Sequence, residues 1–171
     1  MRVRPLLAPA FAAAALVSVA PQAGAADGER APLPTCRDSA TGIGAKADAA
    51  DPTVVRITVT NRAARACLVD RLPTVTFGEL DGAALPVPLG ESGPYRLAPG
   101  QKAYATVRTV GEPTADVRRV GTVTVAGDPS HHGRTFTARE LGAGRVVEVW
   151  EPVTSWWKPS VRAADQAVGV G

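Results

Sequence analysis

Apolar side chains recur at every second position in several short stretches of the chain, which is the pattern of a half-buried β-strand. In the clearest stretch, Val55, Ile57 and Val59 alternate with polar residues. Similar patterns predict further strands at 67–77, 84–89 (as an edge segment), 102–107, 118–126, 134–141 and 145–154. Asp81-Gly82 predicts a hairpin turn, and Pro99-Gly100 predicts a type II turn because proline fixes the first φ and glycine accepts the positive second one.

The strands and turns together predict an all-β fold. Outside the N-terminal region no stretch of ten or more residues keeps the 3.6-residue period of a helix, so the crossover helices of parallel sheets are missing. We expect one domain over residues 35–157, an antiparallel immunoglobulin-like β-sandwich of about seven or eight strands, with a small β-barrel as the alternative. Residues 158–171 are expected to form a flexible C-terminal tail.

The first 25 residues have the composition of a secretory signal peptide. Arg2 and Arg4 precede an apolar run, and Ala23-Gly24-Ala25 offers the small residues that a signal peptidase needs. Residues 26–34 are typical of a flexible leader. An uncleaved membrane anchor is the alternative, but the run is short for a membrane span. We therefore expect an exported protein, extracellular or in the cell envelope, with no membrane span after cleavage.

The chain contains two cysteines, Cys36 and Cys67. An even number of cysteines in an exported protein favours a disulfide, because the compartment is oxidising. The alternative is a free catalytic thiol, which needs a neighbouring histidine or basic cluster to lower its pKa. The sequence places no such group near either cysteine, so we predict a Cys36–Cys67 disulfide.

Composition argues against several classes of protein. The chain of 171 residues is 45% hydrophobic and 20% charged, which does not fit full-length disorder. Without residues 1–25 it has 17 basic and 16 acidic side chains, and the basic ones are scattered, so we expect no nucleic-acid partner. It has neither a glycine-rich phosphate loop nor a dinucleotide fingerprint, and we predict no cofactor.

Three tryptophans, Trp150, Trp156 and Trp157, lie within eight residues of one another. They permit two interpretations. An indole has a large apolar face, so this segment would fill a core that is otherwise built from alanine and valine. Alternatively, the rings form an exposed platform for a sugar, a cell-wall polymer or a partner protein. We favour the core position and keep the three tryptophans as candidate ligand-binding residues.

Candidate catalytic and metal-binding residues are few. His131 and His132 are the only histidines, and with Asp128 they are weak candidates for a metal site, although a solvated turn is the favoured interpretation. There is no Gly-x-Ser-x-Gly nucleophile elbow. Glu148 and Glu151 are a carboxylate pair of the kind that a glycoside hydrolase uses. We predict no catalytic residue and no bound metal.

The order of several short motifs resembles that of the DUF4232 family, a family of secreted actinobacterial domains. The motifs are Cys36, the strand end 57–61, Cys67-Leu68, Pro73-Thr74-Val75-Thr76, Asp81-Gly82 and Leu97-Ala98-Pro99-Gly100. The resemblance implies an exported immunoglobulin-like sandwich and assigns no activity. This chain departs from the family pattern at 70–72, where a glycine and an aromatic residue are usual, and it lacks a second cysteine pair.

We therefore expect a secreted, non-catalytic binding or structural module of the cell envelope or extracellular space. Its partner would be a cell-wall polymer or an extracellular protein. One alternative is a secreted hydrolase of cell-wall glycan or another polymer, which would use Glu148, Glu151 or a histidine. Another is an extracytoplasmic metal-binding protein that would use His131 and His132.

Overall fold

The structure is a computed structural model that describes residues 32–112 and 114–171. The predicted signal peptide and residues 26–31 of the predicted leader lie outside the described residues. The leader's last residues are described, and the carbonyl oxygen of Pro34 accepts a hydrogen bond from the Leu68 amide at 2.9 Å. Residues 32–171 form one compact unit. None of the helices described is long and apolar enough to cross a membrane.

Short strands separated by turns make up most of this unit. The strands described are β1 (Thr41–Ala47), β2 (Val54–Asn61), β3 (Cys67–Val69), β4 (Thr74–Phe77), β5 (Leu85–Val87), β6 (Tyr95–Leu97), β7 (Lys102–Arg108), β8 (Arg118–Val120), β9 (Thr122–Ala126), β10 (Arg134–Thr137), β11 (Val147–Val149) and β12 (Val153–Ser155). The helices are a 3-10 helix (Asp38–Ala40), α1 (Ala138–Leu141) and α2 (Val161–Ala167).

The strands form two larger sheets and two short pairs. The first sheet has the order β1-β2-β7-β12-β5, in which β5 runs parallel to β12 and every other pair is antiparallel. The second sheet has the order β10-β9-β4, while β11 pairs with β8 and β3 pairs with β6. The predicted all-β, sandwich-like fold is confirmed, and the alternative is wrong because the described strands do not close into a barrel.

The period-two alternation places one face of each central strand in the core. In β2, Val55, Ile57 and Val59 are at most 1% exposed, and Val123 and Val125 of β9 are buried to the same degree. All five belong to one apolar cluster that contains residues of both larger sheets. Burial of each such side chain contributes about 1.5–3 kcal/mol, so the alternation that identifies the strands also stabilises the sandwich.

The predicted disulfide between Cys36 and Cys67 is confirmed, with an S–S distance of 2.01 Å. It joins the segment before the 3-10 helix to β3. The Cys36 amide also donates a hydrogen bond to the Leu68 carbonyl oxygen at 2.7 Å. Both cysteines are buried members of the apolar cluster, so the disulfide lies within the core.

The structure has more strands than the sequence predicted. The predicted strands 67–77, 118–126 and 145–154 are each divided in two, because a turn or a change of sheet interrupts them. The predicted strand 134–141 is β10 followed by α1, whose first turn is fixed by a capping box between Thr137 and Glu140. The Asp81-Gly82 turn does not form a hairpin, since β4 and β5 belong to different sheets.

The prediction of a flexible tail over residues 158–171 is wrong, because this segment contains α2. Ser160 caps the helix by accepting a hydrogen bond from a first-turn amide. Ala164 is fully buried and Val168 is only 4% exposed, so one side of the helix lies against the rest of the protein. A helix of seven residues is too short to show a clear 3.6-residue period in the sequence.

A polar network joins α2 to the first sheet. Asp165 accepts hydrogen bonds from Arg56 Nε of β2 at 3.0 Å and from Thr106 Oγ1 of β7 at 2.6 Å. Arg56 also donates to Asp48, and this hydrogen bond lowers the pKa of the Asp48 carboxyl. The helix is thus held on the face of the sheet by charge-assisted hydrogen bonds.

Candidate functional site

An open groove of about 790 Å³ lies between the β5–β12 edge of the first sheet and the end of α2. Most of its wall is apolar and comes from Leu85, Val87, Pro152, Val153, Ala167 and Val168. Arg108, Glu112 and Glu151 add charged groups. The groove therefore combines an apolar surface with a few ionic side chains, which is the usual composition of a binding site.

The pairing of β5 with β12 explains why apolar side chains meet in this groove. Leu85 lies opposite Val153 in the parallel register, and Val87 lies two residues further along the same strand. Side chains two apart in a strand point to the same face of the sheet. Leu85 is 65% exposed, so this apolar wall is open to solvent.

Backbone atoms pack closely at the end of the groove that contains Glu151. Glu151 has a φ of 43°, a left-handed conformation that costs a non-glycine residue about 1–3 kcal/mol. A Cβ atom at Gly111 would lie 2.3 Å from the Glu151 carbonyl oxygen, so only glycine fits there. The Gly111 amide donates to the Trp150 carbonyl oxygen at 2.9 Å. These contacts fix the backbone of Glu151, which lines the groove.

A cluster of ionic side chains anchors the loop that follows β5. Glu91 accepts a hydrogen bond from Lys158 Nζ at 2.6 Å and another from Arg71 Nη2 at 3.0 Å. The Lys158 hydrogen bond, with a smaller contribution from Arg71, lowers the pKa of Glu91. The Arg71 guanidinium also lies over the Tyr95 ring, 5.3 Å from its centre. The cluster ties this loop to the residues just after β12.

The structure places Trp156 and Trp157 in the interior, as the favoured interpretation predicts. Trp157 has no exposed surface and Trp156 is only 8% exposed. The Trp156 Nε1 donates a hydrogen bond to the Pro88 carbonyl oxygen. Trp150 is partly exposed. The three rings therefore do not form an exposed platform, and this alternative is wrong.

The two histidines and Asp128 do not converge. The His131 side chain is 8% exposed, and its Nδ1 lies 3.8 Å from Asp38 Oδ1, whereas His132 is exposed. Asp128 accepts hydrogen bonds from the Ser130 hydroxyl and amide, which lower the pKa of its carboxyl. Across residues 32–112 and 114–171, no three histidine, cysteine or acidic side chains are grouped so that they could hold a metal ion.

The two candidate carboxylates lie in different surroundings. Glu148 of β11 accepts hydrogen bonds from Arg119 of β8, both at 3.2 Å, and forms a surface ion pair. Glu151 lies at the groove beside β5. Glu148 is thus engaged with a neighbouring strand, while Glu151 forms no ion pair with another described residue.

A second cleft, of about 550 Å³, lies at the N-terminal end of β1. Arg62 and Arg134 line it together with Asp38. The Arg62 guanidinium lies over Gly42, where a Cβ atom would be 2.5 Å from its Nε. The Arg134 guanidinium lies over the Phe136 ring, 4.4 Å from its centre. Neither guanidinium forms an ion pair with another described residue.

Sequence reasoning missed both concave surfaces, because each is built from segments that are distant along the chain. For the groove beside β5, one signal was present: Leu85 and Leu89 are large apolar residues in a proline-rich edge segment that cannot be fully buried. They are 65% and 83% exposed. For the second cleft, no pattern in the sequence relates Arg62 to Arg134.

Comparison with known proteins identifies the family of the chain. Residues 36–157 match DUF4232, which is described as a domain of unknown function. No curated protein and no solved structure matches the chain. The matched residues run from the disulfide to the buried Trp157 and include all the strands described. The chain therefore belongs to the DUF4232 family.

Proposed function

We propose that this protein is an exported, non-catalytic binding module and that the groove beside β5 is its binding surface. The observation that carries the proposal is the apolar wall that remains open to solvent, with Leu85 65% exposed. A concave, mainly apolar surface that also holds a few charged groups is the usual form of a binding site.

The charges of the groove favour a protein segment with apolar side chains and a basic residue as the partner. Glu112 and Glu151 line the groove together with a single guanidinium, that of Arg108. None of the three forms an ion pair with another described residue. The groove therefore has a net negative charge, which a basic side chain would complement.

Export is supported by the predicted signal peptide and by the disulfide, since disulfides persist in oxidising compartments. The absence of catalysis is supported by the positions of the candidate residues, because Glu148 is engaged with Arg119 and His131 is directed towards Asp38. We expect no turnover of glycoside, peptide or ester substrates. Turnover that is lost in Glu151→Gln would contradict this part of the proposal.

The binding test compares two leucine variants of the protein without residues 1–25, using isolated cell envelopes of the producing organism. Leu85→Glu places a charge in the groove. Leu89→Glu places the same charge on a side chain that is 83% exposed and does not line the groove. We expect Leu85→Glu to lose envelope binding and Leu89→Glu to retain it, with unchanged melting temperatures. Equal binding by the wild type and Leu85→Glu would refute the groove as the binding surface.

The same binding test on enzyme-treated envelopes identifies the chemical class of the partner. Protease treatment of the envelopes should abolish binding, because the proposed partner is a protein segment. Enzymatic removal of wall polysaccharide should leave binding unchanged. The opposite pattern would contradict a protein partner and indicate a cell-wall polymer.

A further inference from the structure

The hydrogen-bond register of β1 shows which of its backbone groups face β2. The Ala40 carbonyl oxygen accepts from the Arg62 amide at 2.8 Å, and the Asp48 amide donates to the Val54 carbonyl oxygen at 2.8 Å. In an antiparallel pair, alternate residues direct both their N–H and C=O groups to the neighbouring strand. The even-numbered residues of β1 therefore bond to β2.

The odd-numbered residues direct the same groups away from β2, at the outer edge of the first sheet. Thr41 is one of them, but its N–H donates to the Asp38 carbonyl oxygen, which leaves Ile43, Ala45 and Ala47. The Ile43 carbonyl oxygen receives a long hydrogen bond, of 3.5 Å, from Arg134 Nη1. Among the described residues, the other outward groups of these three have no hydrogen-bond partner. This edge is therefore able to pair with a further strand.

The opposite edge of the same sheet is closed by prolines. The Leu85 amide donates to the Pro152 carbonyl oxygen, so Leu85 and Val87 direct their backbone groups to β12. The alternate positions, which face outward, are Pro86 and Pro88. Proline has no N–H to donate, so a further strand cannot pair there. β1 is thus the edge of this sheet that remains open.

Unpaired positive charge lies at one end of that open edge. The cleft of Arg62 and Arg134 borders residues 41–43, at the start of β1. The two guanidiniums are held in place by contacts with Gly42 and with Phe136, and neither forms an ion pair with another described residue. Guanidinium groups bind carboxylates through charge-assisted hydrogen bonds. Asp38 also lines the cleft, so two guanidiniums and one carboxylate give it a net positive charge that suits an acidic group.

We propose that an extended, acidic protein segment adds to the first sheet along β1. It pairs antiparallel with β1, so that its C-terminal end reaches the cleft and a carboxylate lies between Arg62 and Arg134. Backbone hydrogen bonds supply much of the affinity in this mode of recognition, and the guanidiniums select the acidic end. This surface is separate from the groove beside β5, so either proposal can fail without the other.

The probe is a synthetic six-residue peptide of alternating threonine and valine that ends in glutamate with a free carboxylate. Amide exchange measured by NMR should be fast at Ile43, Ala45 and Ala47 in the free protein and should slow when the probe is added at millimolar concentration. Slow exchange in the free monomer, or no protection by the probe, would overturn the proposal. Dimerisation that protects these amides without the probe would also overturn it and indicate a second copy as the partner.

Variants separate the roles of the backbone and of the charges. Ala45→Pro removes one outward N–H, which an edge strand tolerates, and should abolish probe binding. Ala45→Val keeps that N–H and should bind like the wild type. Arg62→Gln with Arg134→Gln should weaken probe binding about tenfold. A probe that ends in a lysine amide, and so carries no carboxylate, should be weakened to a similar extent. Unchanged affinity in the double glutamine variant would refute the acidic partner, and its melting temperature checks that it is folded.

Discussion

Trp157 is the largest fully buried side chain among the described residues. It is fully buried and belongs to the apolar cluster of the core, while its Nε1 has no hydrogen-bond partner. We expect Trp157→Ala to lower the free energy of unfolding by about 3–5 kcal/mol, measured by urea denaturation. Trp157→Phe should cost less, since it keeps most of the ring and removes the unpaired N–H. If Trp157→Ala is as mild as Trp150→Ala at the partly exposed position, this account of the core is wrong.

Glu91 makes the stability of the protein depend on pH. Its hydrogen bonds with Lys158 and Arg71 hold the pKa of its carboxyl below the ordinary value of 4.5. A lowered pKa in the folded state means that the stabilisation is present above the unfolded value and is lost as the pH falls through the folded one. The difference in unfolding free energy between the wild type and Glu91→Gln should therefore be largest near neutral pH and should shrink below 4.5. A difference that does not vary with pH would exclude this role for Glu91.

At the scale of single residues, the sequence predicts a backbone conformation where it depends only on the residue and its immediate neighbours. The type II turn at Pro99-Gly100 is confirmed, because Gly100 has a φ of 70° and the Gln101 amide donates to the Ala98 carbonyl oxygen at 3.0 Å. The positive φ of Glu151 was not predictable, since nothing in a glutamate favours that conformation. It arises from tertiary packing of the backbone around it.

A single substitution should weaken the packing of α2 on the first sheet. Asp165 is the side chain that receives hydrogen bonds from both Arg56 and Thr106. We expect Asp165→Ala to lower the free energy of unfolding by about 1.5–3 kcal/mol and to accelerate hydrogen exchange in α2. Gln166→Ala, at the exposed neighbouring position, is the control and should change neither. Retained protection of α2 in Asp165→Ala would show that apolar contacts alone hold the helix.

Pro86 in β5 and Pro88 just after it should keep the protein from associating along that edge. Pro86→Thr supplies an outward N–H with a residue that favours strands, so it should promote self-association in sedimentation velocity experiments. Val87→Thr introduces the same side chain on the same strand without adding an outward donor. It should remain as monodisperse as the wild type. Equal behaviour of the two variants would mean that the prolines do not protect this edge.

Whole elements were predictable where the side-chain pattern is strong. β2 is predictable because valine and isoleucine alternate with polar residues, whereas β1 is not, because Gly42 and Gly44 stand where polar side chains would alternate with its apolar ones. The sequence does not predict α2, because the helix is held by two buried apolar residues and by hydrogen bonds to distant strands. Such contacts depend on the fold and leave no periodic pattern.

At the scale of the molecule, the disulfide between Cys36 and Cys67 should make a large contribution to stability. The two cysteines are 31 residues apart, and in the chain-entropy treatment a loop of this size stabilises the folded state by about 3–4 kcal/mol. Replacement of both cysteines by serine should lower the urea midpoint accordingly. The circular dichroism spectrum of the folded variant should stay β-type, because the sheets do not depend on the bond. An unchanged midpoint would contradict the prediction.

The candidate site was the least predictable part of the molecule. The groove beside β5 combines residues from β5, from the end of β7, from β12 and from α2. These segments become neighbours only because β12 lies between β7 and β5 in the first sheet. A pattern in one segment carries no information about that order, so the fold class followed from the sequence and the binding surface did not.

The position of β12 also bears on how the chain reaches its final shape. This strand follows both β5 and β7 in the sequence, yet it is an interior strand with β7 on one side and β5 on the other. During synthesis, β7 can therefore pair with β2 before β12 is made, whereas β5 has to wait for β12. A nascent chain that stops before residue 153 would leave β5 without its partner strand and one edge of β7 open, in the kind of intermediate that aggregates or is degraded.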